Sequence, residues 1–130
     1  MEKKYKLELL SENFCFSKFP QFAEIPSVFL KGEMCFIMRT DEELTVISPE
    51  FMAPDNVQEE LGFRCVRIVD TLNLDEHGII ADLVQPLTKA GVSVNIISTF
   101  NTLYFFFREE IMEKVVQILK NAGHEFIPTM

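Results

Sequence analysis

The sequence predicts an α+β fold: a β-α-β-β-α-β run fills the C-terminal half, and strands with little helix fill the N-terminal half. Three observations carry this reading. Residues 79–90 and 111–122 repeat apolar side chains at helical spacing, each closes on Ala-Gly, and each leads at once into a strand-like segment. Between them, Leu103-Tyr104-Phe105-Phe106-Phe107 is apolar at every position and follows the polar turn Ser98-Thr99-Phe100-Asn101-Thr102.

From the N-terminus, Tyr5-Lys6-Leu7-Glu8-Leu9 alternates as a strand does, Ser11-Glu12-Asn13 turns, and Phe14-Cys15-Phe16 returns, which predicts a hairpin. An irregular stretch with Pro20 and Pro26 follows. Residues 34–40 and 44–48 flank the acidic turn Asp41-Glu42-Glu43 as a second hairpin, and Pro49 and Pro54 bracket at most a short helix. A strand is expected from Phe63 to Val69. In the next helix Ile79, Ile80, Leu83, Val84, Leu87 and Ala90 share one face, Pro86 predicts a local bend, and Gly91 is the C-cap. Strands over Val92–Ile97 and Leu103–Phe107 come next. The last helix has Ile111, Met112, Val115, Val116, Ile118, Leu119 and Ala122 on its apolar stripe and closes at Gly123, before a short strand over Glu125–Ile127. This is the split β-α-β, or ferredoxin-like, order. The boundary is placed at Leu61-Gly62, giving an N-terminal domain over 1–61 and a C-terminal domain over 62–130.

The 130 residues, 48% of them hydrophobic, are enough for a packed core, so disorder is excluded. Twelve Lys and Arg against 20 Asp and Glu leave a formal charge of -8, which disfavours nucleic acid and anionic membranes, since both are bound by clustered basic side chains. No apolar run approaches membrane-spanning length and no signal-like h-region follows Met1-Glu2-Lys3-Lys4, so a cytoplasmic protein is expected. Cys15, Cys35 and Cys65 form no C-x-x-C pair and read as buried reduced thiols.

Enzyme motifs such as G-x-S-x-G, H-E-x-x-H, the P-loop and G-x-G-x-x-G are missing, so no catalytic residue is assigned and the protein is read as a non-enzyme without cofactor. Asp75, Glu76 and His77 are adjacent and diverge, with no second cluster to complete a metal shell, so no metal site is assigned. Gly78 admits close approach, and the amides of Ile79 and Ile80 at the helix start suit a carboxylate. Asp75 capping that helix explains the same residues equally well. Ser98, Thr99, Asn101 and Thr102 either bond a ligand or satisfy their own turn. His124, after a helix C-cap, reads as structural.

The Ser98–Phe107 block, taken with Gly78-Ile79-Ile80-Ala81 and Ala122-Gly123-His124, resembles the signature of small tandem ACT-domain proteins related to the CASTOR-type amino-acid sensors. Arg39 to Glu50 resembles a second recurrent element of the same family. The resemblance implies tandem ACT-type domains, degenerate in the strand-rich half, paired as a homodimer and sensing rather than catalysing. It assigns Gly78, Ile79, Ile80, Thr99, Phe100 and Asn101 to the ligand pocket. Two positions depart from the family pattern: Glu76 stands where relatives carry a small hydroxyl residue, and Leu103 where they carry an acidic one. The implied ligand is therefore a neutral or apolar amino acid. The alternative is an interaction or dimerisation module that keeps the fold without the ligand and associates through the doubly apolar Leu103–Phe107.

Overall fold

The computed structural model describes residues 4–55, 57–75 and 78–128. In chain order its elements are β1 (Lys6–Leu9), β2 (Phe14–Phe19), α1 (Ser27–Lys31), β3 (Phe36–Arg39), β4 (Leu44–Pro49), β5 (Gln58–Ile68), α2 (Ile79–Lys89), β6 (Asn95–Ser98), β7 (Leu103–Arg108), α3 (Met112–Asn121) and β8 (Glu125–Phe126). By contacts the chain divides into two units, Glu12–Phe63 and Met1–Ser11 with Arg64–Met130. No helix among the described residues is long and apolar enough to cross a membrane.

In the second of these units the strands run β8-β1-β5-β7-β6. The expected order β5-α2-β6-β7-α3-β8 is present, and β1 enters it between β5 and β8: antiparallel to β5, with Leu7 opposite Ile68, and parallel to β8, with Lys6 opposite Glu125. Leu7, Val66 and Ile68, alternating with outward residues, face the helices together with Leu103, Phe105 and Phe107 of β7. Against them α2 buries Ile79, Leu83 and Leu87, and α3 buries Met112, Val115 and Leu119. This apolar match is why residues 4–11 join the C-terminal elements instead of the 1–61 domain expected from the sequence. The expected hairpin over residues 5–16 does not form: β1 pairs with β5 and β8, and β2 pairs with β4 and β5.

Phe106, on the other face of β7, is fully buried within the single chain, and Tyr104 is half-buried. The surface that motivated the association module is thus already covered at its centre. Ile80 departs from the helix pattern too, being 46% exposed.

Both long helices end alike. Gly91 lies at φ +74, its N–H donates to the Thr88 carbonyl at 3.0 Å, and the Val92 N–H reaches the Leu87 carbonyl at 3.0 Å. At the end of α3, Gly123 at φ +98 donates to Lys120 at 2.9 Å and His124 to Leu119 at 3.1 Å. Each is a Schellman motif, which closes the last carbonyls of the helix. α2 continues through Pro86 to Lys89. His124 is buried, and its Nδ1 accepts the Tyr5 N–H at 3.2 Å, so that nitrogen carries no proton.

In the unit Glu12–Phe63, β2 lies between β4 and residues 58–63 of β5, and β3 flanks β4 as the expected hairpin. Phe29 of α1 meets Phe19, Leu44 and Val46 in its core. α1 was not expected, because five residues after Pro26 are too few to show a period. Between Phe14 and Phe16 the register with β5 shifts by one residue, a bulge accommodated by Gly62 at φ +81, whose N–H donates to the Glu50 carboxylate at 2.6 Å.

Two predictions follow from this architecture. Replacing Gly91 by Ala places a Cβ in open space at a left-handed position, so backbone strain alone should destabilise by about 1–2 kcal/mol, read as a lower urea midpoint at unchanged slope. Burial pushes the Cys65 thiol from its ordinary value near 9 up to about 12. The unfolded thiol ionises first, so the stability contributed by Cys65 should be intact below about pH 9 and be lost as pH rises toward 12, which urea titrations of wild type and Cys65→Ala compare directly.

Candidate functional site

Two segments remote in sequence are tied together where α2 begins. The Thr102 hydroxyl donates to the carbonyl of Ile68, the last residue of β5, at 2.9 Å. In the other direction, the Leu72 N–H donates to the Asn101 carbonyl at 2.7 Å. The turn that makes these bonds is closed by its own threonines. Thr99 donates to the Thr102 carbonyl through both its N–H, at 2.9 Å, and its hydroxyl, at 3.1 Å, and the Thr102 N–H returns to Thr99 Oγ1 at 3.3 Å. Both hydroxyls therefore serve the turn and its anchorage, the second of the two roles that the sequence left open.

Across from the turn, Gly78 is the N-cap of α2 at φ +82, ψ -10, and its carbonyl accepts the Asp82 N–H at 2.9 Å. Among the described residues the N-cap makes no side-chain cap hydrogen bond, and Asp75 does not have the capping role considered for it. The amides of the first helical turn have no intrahelical acceptor and carry the positive end of the helix dipole. A Cβ at Gly78 would meet nothing within 4 Å, so the glycine is required by its conformation and not by crowding.

The space between helix start and turn is a cleft of about 290 Å³. Gly78, Ile79, Ile80, Thr99, Phe100 and Asn101, the six residues assigned to the pocket, all line it. Residues 72–74, Ala81, Ser98, Thr102 and Leu103 complete the wall. Ala81 was missed because a small residue in a helical stripe carries no signal of its own. Ile79 is buried at the base, whereas Leu74, Ile80 and Phe100 are 67%, 46% and 79% exposed at the rim. The side chains of Ser98 and Asn101 have no hydrogen-bond partner among the described residues. None of the described lining residues is ionisable, because Leu103 stands where an acidic side chain was looked for. Glu76 and His77, the other residues considered at this loop, lie outside the described residues.

No group of three or more His, Cys, Asp or Glu side chains placed to hold a metal is found among the described residues. The three cysteines are unbridged, Cys15 and Cys65 buried and Cys35 half-buried. Burial raises the thiol of each above its ordinary range, which disfavours the reactive thiolate.

The geometry has a counterpart among known proteins. Residues 58–121 match the family model of the ACT domain. The matched stretch holds both walls of the cleft, and the ferredoxin-like ACT fold accounts for the order β5-α2-β6-β7-α3. A solved protein of Agobacterium tumefaciens is similar at 26% identity and a TM-score of 0.90, covering 98% of this chain and 96% of that one. A Vibrio cholerae protein of unknown function, titled a possible transport protein, is similar at 21% identity and 0.73, covering 92% and 91%. The ligand-free regulatory subunit of aspartate kinase from Thermus thermophilus shares the fold at 13% identity and 0.60, covering 95% and 99%. No match is found among curated proteins.

Thr102→Val keeps the shape of the turn and removes its bond to Ile68. It should destabilise by about 1 kcal/mol, measured by urea unfolding, and should speed amide exchange at Leu72 and Thr99 more than at Val115 in the core of α3.

Proposed function

We propose that this protein is a non-catalytic regulatory protein that binds a small molecule of amino-acid skeleton in the cleft between the start of α2 and the β6–β7 turn. The observation that carries the reading is the convergence of the helix-start amides, Gly78 and a described wall that is uncharged and apolar-rimmed on one cleft within the ACT match. A carboxylate meets the amides and the helix dipole, and an apolar side chain meets Leu74, Ile80 and Phe100. The regulatory subunit of aspartate kinase among the similar folds supports a regulatory role. Neutral or apolar amino acids fit this wall better than arginine or lysine, for which it offers no counter-charge.

The exposed rim supports closure of the ligand by a second ACT-type surface in a homodimer, with binding shifting the assembly equilibrium. The strand-rich unit Glu12–Phe63 is read as a degenerate second ACT-like domain, and the protein as cytoplasmic.

A thermal unfolding scan with each common amino acid at millimolar concentration tests this. At a hundredfold excess over Kd a ligand bound only by the folded chain stabilises by about 2.7 kcal/mol, a rise of several degrees. The rise should be confined to uncharged apolar side chains, and Gly78→Val and Thr99→Val should abolish it. A flat panel sinks the proposal.

A further inference from the structure

We propose that the outer edge of β3 accepts, as an added strand, an extended segment of another protein that carries Lys or Arg on either side of a short apolar run. None of the β3 residues lines the cleft, so this edge adds a partner surface to the ligand reading and does not depend on it.

β3 stands at the end of its strand order and pairs with β4 alone among the described strands. The phase of its hydrogen bonds follows from the hairpin turn. The Thr40 N–H donates to the Glu43 carbonyl at 2.9 Å, which makes Thr40 and Glu43 a hydrogen-bonded pair. Bonded and non-bonded pairs alternate along an antiparallel ladder, so Met38 opposite Thr45 and Phe36 opposite Ile47 are bonded. Ile37 and Arg39 therefore turn their N–H and C=O groups away from β4. On that side neither residue has a main-chain hydrogen bond among the described residues. Met34, Cys35, Phe36, Ile37 and Met38 are all half-buried, so the edge is apolar on both faces of the strand. Open main-chain groups on an apolar edge are a template for a further strand.

Charge decides what that strand can be. Glu33 before β3 and Asp41 and Glu42 after it are exposed. Arg39, the cation between them in sequence, is engaged within the chain, its guanidinium donating to the carbonyls of Gln21 and Ala23. Residues 12–63 hold ten Asp and Glu against Lys18, Lys31 and Arg39. A second copy of β3 fits this edge badly. In the antiparallel registers that pair Ile37 with Ile37 or with Arg39 of a second copy, Glu33 of each comes beside the acidic turn Asp41-Glu42-Glu43 of the other. Like charges so placed destabilise strand pairing. A segment with cations at both ends meets opposite charge instead, so the carboxylates that disfavour the chain itself select such a partner.

The test is titration of the full chain with three short peptides blocked at both ends, read by calorimetry and by amide exchange. The first alternates valine and threonine between two lysines at each end. The second has glutamates in place of the lysines, and the third keeps the lysines but is N-methylated at alternate amides. The lysine peptide should bind and, at saturation, slow exchange of the Ile37 and Arg39 amides about tenfold or more, the protection of one added hydrogen bond. Phe36 and Met38, already bonded to β4, should change little. The glutamate and N-methylated peptides should not bind. Glu33→Gln, Asp41→Asn and Glu42→Gln together, at exposed positions, should weaken the lysine peptide about tenfold with circular dichroism unchanged. No binding of the lysine peptide, binding that leaves Ile37 and Arg39 unprotected, or equal binding of either control peptide overturns the proposal. So does protection of Ile37 and Arg39 that rises with protein concentration alone, which makes a second copy the occupant.

Discussion

The candidate site depends first on the Thr102 hydroxyl and its bond to the carbonyl of Ile68. That carbonyl lies at the end of β5, where the chain leaves the sheet for the loop to α2. The β6–β7 turn and that loop are separate excursions of the chain, each free to move unless tied. Thr102 ties the turn to the root of the loop, and the Leu72 to Asn101 bond ties the loop's middle back to the turn. Each bond contributes only about 1 kcal/mol of net stability, but together they fix the spacing between the turn and the helix amides. The cleft exists because that spacing is held, which in the proposed function would lower the ordering cost of binding.

A division of labour inside the turn follows. A threonine that closes its own turn and anchors it to a strand has little left for a ligand. Thr99 and Thr102 act as builders, and in the proposed function recognition would fall to groups that the turn leaves over: Ser98, Asn101, Phe100 and the opposing amides. Thr99→Val would therefore affect binding through the turn's geometry and not through a lost ligand contact. The same logic separates Gly78 from its neighbours, because its left-handed backbone aims the helix start without contributing a side chain.

Much of this was legible in the sequence because it is local. The helical period of residues 79–90 and 111–122, the acidic turn between β3 and β4, and the glycines of the two Schellman ends are short-range patterns. The six residues that line the cleft could be picked out for the same reason, lying in two short blocks. What failed was long-range or too short to repeat. Residues 5–9 and 14–16 look like a hairpin because they are adjacent, yet strand pairing is decided by which apolar face is buried, and Leu7 matches Val66 and Ile68. Ile80 falls on the apolar stripe by spacing, but at the first helical turn no strand covers it and it faces the cleft mouth. That the described wall is uncharged could be suspected from Leu103, but the bonds that tie the turn to the root of the loop required the fold.

Leu103–Phe107 and the cleft rim show how buried and exposed apolar surface divide their tasks. A strand apolar on both faces suggested an association surface, yet Phe106 is fully buried in the single chain, so its second face stabilises the fold. The apolar side chains left in water at this site are Leu74, Ile80 and Phe100, and they surround the cleft mouth. A ligand filling the cleft changes how much of that rim remains wet, and a second surface docking over the rim changes it as well. In the proposed function the two events would draw on the same apolar area, so binding one would alter the free energy of the other, and by linkage the effect would be reciprocal. Coupling of this kind needs no moving part beyond the side chains of the rim, which suits a fold whose cleft walls are already pinned.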